Sequence, residues 1–159
     1  MAIRRIRELG DEVLTKKCKE VTKMNLRTRI LIGDMLDTMY EAGGVGLAAP
    51  QVGVLKNIVV IDIGEGDGPI TLVNPVILET AGEQSGDEGC LSVPGKAGVV
   101  TRPNYVKVRA QNENMEEIEL EAEELLARAV CHEIDHLDGI MYVELVEGGL
   151  HDVEPEEED

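Results

Sequence analysis

Residues 123–139 read EELLARAVCHEIDHLDG, and this stretch decides the fold. Leu125, Leu126, Ala129 and Val130 lead into His132-Glu133-Ile134-Asp135-His136, and Gly139 stands where a helix stops. The spacing predicts one helix over roughly 123–138. Residues four apart lie about 40° from each other around a helix, so both imidazoles can face one ion. Glu133 follows one of them on the same side, placed to handle protons on a water at that ion. The pattern is HExxH, and it takes two of the chain's three histidines. The plainer reading, a chance match on a polar helix face, should arise in roughly one chain of this length in a few hundred.

Two histidines do not complete a catalytic centre, which commonly has three protein ligands and a water. Candidates for the third are Cys90, Cys18, Cys131, His151 and a downstream carboxylate. Cys131 is about 100° round the helix from His132 and poorly placed to share its ion. His151 stands beside an acidic tail, and Cys18 lies in a Lys-rich segment. Cys90 sits in EGCLSVPG (88–95), flanked by glycine and proline, and is the best of the set, although a lone cysteine is more often a small buried hydrophobe.

Outward from this helix, the chain reads as one domain. Asn25 is a plausible N-cap for a first helix, in which Leu26, Ile30, Leu31, Met35, Leu36 and Met39 recur at helical spacing up to about Tyr40. NIVVIDI (57–63) predicts a buried strand, and ITLVNPVILET (70–80) a second one with an edge or bend at Pro75. YVKVRA (105–110) and EEIELE (116–121) alternate as a hairpin turning at QNEN. IMYVELV (140–146) reads as a last strand, and residues 83–104 as a structured loop passing into a strand. Strands before, between and after two helices give an α+β class.

The chain has 159 residues and a net charge of −17, carried entirely by its end. Residues 1–111 balance 14 basic against 14 acidic side chains, whereas residues 112–159 hold 18 acidic ones and a single Arg128. No basic stripe exists to displace counterions from a nucleic-acid backbone, so sequence-specific or general nucleic-acid binding is not expected. The apolar runs are too short to span a bilayer. Three cysteines cannot form a paired framework, which suits a reducing cytoplasm. A catalytic domain over 1–148 and a disordered acidic tail over 149–159 are expected.

GGVGLAAPQVG (43–53) is the other marked segment: its glycines allow close backbone approach, and Gln51 offers an amide donor. It lacks the GxxxxGK[ST] pattern of a phosphate loop, and its plain reading is a tight connection from helix to strand.

In this order and at these separations, GVGLAAPQVG, EGCLSVPG and HEIDHLDG resemble the three signature motifs of the peptide deformylase family. The resemblance runs from IRELGDEVL (6–14) to about Val146 and favours Cys90 as the third ligand. It implies small mixed or antiparallel sheets packed around a central helix that bears HExxH. It also implies a metal-dependent hydrolase that removes the formyl group from the N-terminal formylmethionine of nascent chains and releases formate. Carried over, Cys90, His132 and His136 would hold one divalent ion, iron(II) as the native metal, with zinc, nickel or cobalt possible in purified protein. Glu133 would carry the proton, and the Gln51 side chain with the Leu91 backbone N–H would stabilise the oxyanion. Gly46 would pair with the substrate backbone, Val45 would help line the methionine pocket, and an ion pair of Glu88 and Arg102 would steady the cysteine loop.

Two features depart from the family pattern. The chain has no long basic C-terminal helix in this region, so ribosome contact would be transient and not mediated by the tail, whose charge repels RNA. Ala97 stands where many relatives have a bulkier residue, which would open one wall of the groove. HExxH is shared with zincin-type peptidases, but no HExxHxxGxxH extension follows His136. A non-catalytic binding module would want a fourth protein ligand, and none is obvious.

Overall fold

The computed structural model describes residues 2–153. The central run Ile58–Ile61 (β2) explains the layering. Its four residues are all fully buried, because alternate side chains serve two different cores. Val59 and Ile61 face the second helix, while Ile58 and Val60 face the first.

Strand β2 belongs to a five-stranded sheet in the order β1-β2-β3-β6-β7. Its other members are β1 (Gly46–Ala48), β3 (Ile70–Ala81), β6 (Tyr105–Gln111) and β7 (Glu117–Glu123). A three-stranded sheet has the order β4-β5-β8, with β4 (Gln84–Cys90), β5 (Val93–Arg102) and β8 (Glu147–Asp152). All pairings between these strands are antiparallel. Helix α1 (Leu26–Glu41) covers one face of the larger sheet through Leu31, Met35 and Met39. Helix α2 (Glu124–Leu137) covers the other face with Ala127, Val130, Cys131 and Ile134, and it also touches β5. The HExxH helix is therefore the central element between the two sheets, as expected.

Several expectations hold locally. The Asn25 side chain accepts from the Thr28 N–H at 2.9 Å and starts α1. The hairpin of β6 and β7 turns at residues 112–116. At Pro75 the pairing of β3 with β6 slips, between Val73 and Val76, with Asn74 at φ 51°. The Asn74 amide donates to the Val21 carbonyl at 2.8 Å and to Gln111 at 2.7 Å, which holds the bulge.

Other expectations are corrected. Leu26 is 73% exposed and Ile30 also points outward; the inner face of α1 instead takes in Thr28, Ile32, Asp34 and Thr38. Asp34 and Thr38 are buried because the N-terminal segment needs them: Ala2 N–H and Arg4 Nε donate to Asp34, and Arg4 N–H to Thr38. Residues 83–104 are mostly the β4–β5 hairpin rather than loop. Residues 140–146 hold a short 3-10 turn, Tyr142–Glu144, and the last strand begins only at Glu147. Residues 149–152 of the expected tail thus belong to β8, in which His151 and Asp152 pair with β5, while residues 154–159 lie outside the described residues.

Candidate metal centre

Helix α2 presents His132 and His136 one turn apart, with ring centroids 5.1 Å from each other. The hairpin of the smaller sheet brings Cys90 to them from the end of β4. One donor atom each from Cys90, His132 and His136 lie within 4.8 Å of one another. The Cys90 Sγ is 3.3 Å from His136 Nε2. Among the described residues this is the single His/Cys/Asp/Glu grouping with such geometry. Cys131 and Cys18 are buried in the α2 core instead, and burial pushes both thiols up to about 11. His151 lies on β8, exposed and 3.7 Å from Asp87.

Glu88 sits behind this trio and is fully engaged. It accepts from His132 Nδ1 at 2.6 Å, from Arg102 at 2.6 and 3.1 Å, and from Arg128 at 2.7 Å. Burial alone would raise its carboxyl, yet the hydrogen bonds from His132 and Arg102 bring it down to about 2. With Nδ1 committed to Glu88, His132 is left to use Nε2. Arg102 also donates to Asp135 at 2.5 Å, so the network runs from α2 through β5 to β4 and back.

Glu133 is buried in the cavity wall, and desolvation pushes its carboxyl up to about 7. Its Oε2 is 3.9 Å from His132 Nε2, and its Oε1 is buried with no partner. Burial opposes a charge on His132, but Glu133, Cys90 and Glu88 outweigh it and hold the imidazole well above its ordinary value. These surroundings favour positive charge at His132 Nε2. A thiol and two imidazoles form a donor set that fits one divalent ion with an open position, and the carboxylate of Glu133 stands beside it.

The first motif supplies the space. A Cβ on Gly46 would stand 2.5 Å from Glu133 Oε2, and one on Gly44 would stand 2.6 Å from the Leu91 side chain. Beyond them a 3-10 turn, Ala49–Val52, buries Gln51. The Gln51 Oε1 accepts from Ala48 N–H at 2.9 Å. Its Nε2 donates to Ser92 Oγ at 3.0 Å and lies 3.5 Å from Cys90 Sγ. Gln51, Val45, Gly46, Leu91 and Glu133 all line one cavity of about 850 Å³, which opens on the trio. The residues that the family resemblance marked therefore gather at this cavity or directly behind it, whereas Cys18, Cys131 and His151 do not.

Sequence reasoning missed Arg128, Asp135, Ser92 and Val153. Arg128 had a signal: it is the one basic side chain among 18 acidic ones, set on an apolar turn. Asp135 lay in plain view inside HExxH.

A family model described as polypeptide deformylase matches residues 3–149. Peptide deformylase of Agathobacter rectalis is 68% identical over 153 residues, covering 96% of each chain. That of Lachnoclostridium phytofermentans is 64% identical, covering 96% of this chain and 94% of the relative. Among solved structures, a peptide deformylase from Legionella pneumophila superposes with a TM-score of 0.88 at 45% identity, over 92% of this chain and 87% of that one. One from Ehrlichia chaffeensis in complex with actinonin gives a TM-score of 0.90 at 35% identity, over 93% and 91%. The chain belongs to the polypeptide deformylase family, metal-dependent hydrolases that remove the N-terminal formyl group from newly made peptides.

Proposed function

We propose that Cys90, His132 and His136 hold the one divalent ion, natively iron(II), and that Glu133 is the proton carrier of deformylation. The carrying observation is Glu133 itself: a buried, cavity-lining carboxylate whose Oε1 is unpartnered and whose Oε2 is 3.9 Å from the Nε2 of His132. When bound, a divalent ion supplies Lewis acidity, which makes water a nucleophile near neutral pH and polarises a carbonyl. The set of one thiolate and two imidazoles suits iron(II), zinc, nickel and cobalt; iron(II) follows from the family resemblance.

The chain's own residues do the rest. Glu133 takes a proton from the attacking water at its carboxylate and later gives it to the departing amine nitrogen. The raised carboxyl, about 7, matches a group that must both accept and return a proton at neutral pH. Gln51 Nε2, held in place by Ser92 and by the Ala48 contact to its Oε1, donates to the oxyanion with the Leu91 N–H. Gly46 pairs with the substrate backbone, and Val45, 44% exposed at the cavity lip, contacts the methionine side chain. Glu88 and Arg102 fix the His132 ring and the cysteine hairpin. The water adds to the formyl carbon, the C–N bond breaks, and formate and a free amine leave.

The substrates are formylated nascent chains, so the enzyme works in the bacterial cytoplasm close to the ribosome. The acidic C-terminal residues do not dock it on RNA. Metal analysis of protein purified without oxygen, paired with formate release from formyl-Met-Ala-Ser, tests the reading. Iron near one equivalent and stoichiometric formate support it. Release of an internal fragment, or no formate from metal-loaded protein, overturns it.

A further inference from the structure

Val153 lines the cavity although it lies beyond residues 3–149, the span matched by the family model. Strand β8 carries it there. On β5, Lys96 stands opposite Asp152 and Ala97 opposite His151, and the Val153 N–H donates to the Gly95 carbonyl at 2.9 Å. Further contacts pin the strand. Thr101 donates to Glu147 at 2.9 Å, Lys96 pairs with Asp152, and the Val146 methyls fill the space that a side chain at Gly98 would need. Gly148 and Gly149, both at positive φ, absorb the slip in pairing between Ala97 and Val99.

Side chains alternate across a strand, so Gly95 and Ala97 share one face of β5, next to His151 on β8 and Val153 just past its end. At these two positions β5 presents nothing larger than a methyl group. Val153 is the apolar side chain beside that opening, and it is 49% exposed, so half its surface is free to be covered. Strands β4, β5 and β8 are adjacent in the sheet, which puts Val153 two strand spacings, about 10 Å, from the strand that ends in Cys90. An extended peptide spans that distance in about three residues.

We propose that Val153 is a specificity-determining residue: it forms an apolar contact for substrate side chains two to three residues beyond the formylmethionine. It favours apolar residues there over charged ones. The inference rests on deformylation at the Cys90 centre, which anchors the substrate's other end.

The test uses the nickel-loaded full chain as wild type, V153A and V153D, on formyl-Met-Ala, formyl-Met-Ala-Leu-Leu and formyl-Met-Ala-Lys-Lys. The expected kcat/KM on formyl-Met-Ala is equal within about twofold for all three proteins, since that substrate is too short to reach β8. V153A lowers kcat/KM on the Leu-Leu substrate about fourfold, through KM, as two half-covered methyl groups are lost. V153D shifts the preference from Leu-Leu toward Lys-Lys. An unchanged ratio of Leu-Leu to Lys-Lys in both variants overturns the proposal, and so does an equal fall on all three substrates. Absence of formate from formyl-Met-Ala with wild type overturns the reading of the centre itself.

Discussion

Gly46 and Glu133 share one space: a methyl group on the first would lie 2.5 Å from Oε2 of the second. The glycine of the first motif is thus explained by the carboxylate of the third, 87 positions along the chain. Replacing Gly46 with Ala should push Glu133 off its position while leaving Cys90, His132 and His136 in place. Metal content should stay near wild type, and deformylation should fall by at least about tenfold, as expected for a displaced proton carrier. A fully active G46A would mean that Glu133 has room to spare.

Glu88 accepts hydrogen bonds from two buried guanidinium groups and a buried imidazole. Removing it leaves Arg128 as a buried charge with no carboxylate partner and Arg102 with Asp135 alone, a loss of about 3–5 kcal/mol. In a chain of this size that lowers Tm by roughly 10 °C. E88A should therefore melt markedly earlier than wild type, both without metal, by calorimetry. A melting point within a degree or two of wild type would contradict the network.

Asp34 ties the N-terminal segment to α1. The Ala2 N–H, then Arg4, holds its carboxyl below the ordinary value, against an opposing effect of burial. A carboxyl lowered in the folded state stabilises the fold above the ordinary carboxylate range, and that contribution is lost as pH falls through the folded value. D34N should melt about 3 °C below wild type at pH 7, and the gap should shrink at pH 3. A gap that widens on acidification would reverse the sign.

Truncation after Glu147 removes most of β8 and, with it, the partner of Lys96 and Ala97. The strand is exposed along its length, so little apolar area is lost, and Tm should fall by only a few degrees. An acidic tail free of the fold from residue 149 onward would give no fall at all. Melting curves of the two proteins at equal metal loading distinguish these outcomes.

How much was legible depended on periodicity. The cap at Asn25, the hairpin of β6 and β7 and the HExxH helix each carry a strong local pattern, and all three stand. The β4–β5 hairpin was hidden because Gly86, Gly89, Gly95 and Gly98 have no side chains to alternate, and Gly98 is glycine to admit Val146. IMYVELV has strand composition, but Tyr142 is buried beneath the small sheet, with its hydroxyl 3.3 Å from the Lys96 carbonyl, and the backbone turns to seat it. EGGLHD has none of that composition and still pairs, since the edge of β5 decides. In the site, order and spacing of the motifs pointed to Cys90. The Arg128 and Asp135 contacts depend on long-range packing that no local pattern encodes.

In the proposed mechanism Cys90, His132 and His136 hold the ion while Glu133 only moves the proton. The most direct measurement is metal content and formate release of E133Q beside wild type, both nickel-loaded, on formyl-Met-Ala-Ser. Gln keeps the shape of Glu133 and removes its basicity. One equivalent of metal is expected in each protein, with formate release by E133Q down at least about a hundredfold. Metal loss in E133Q, or activity within a few-fold of wild type, would contradict it.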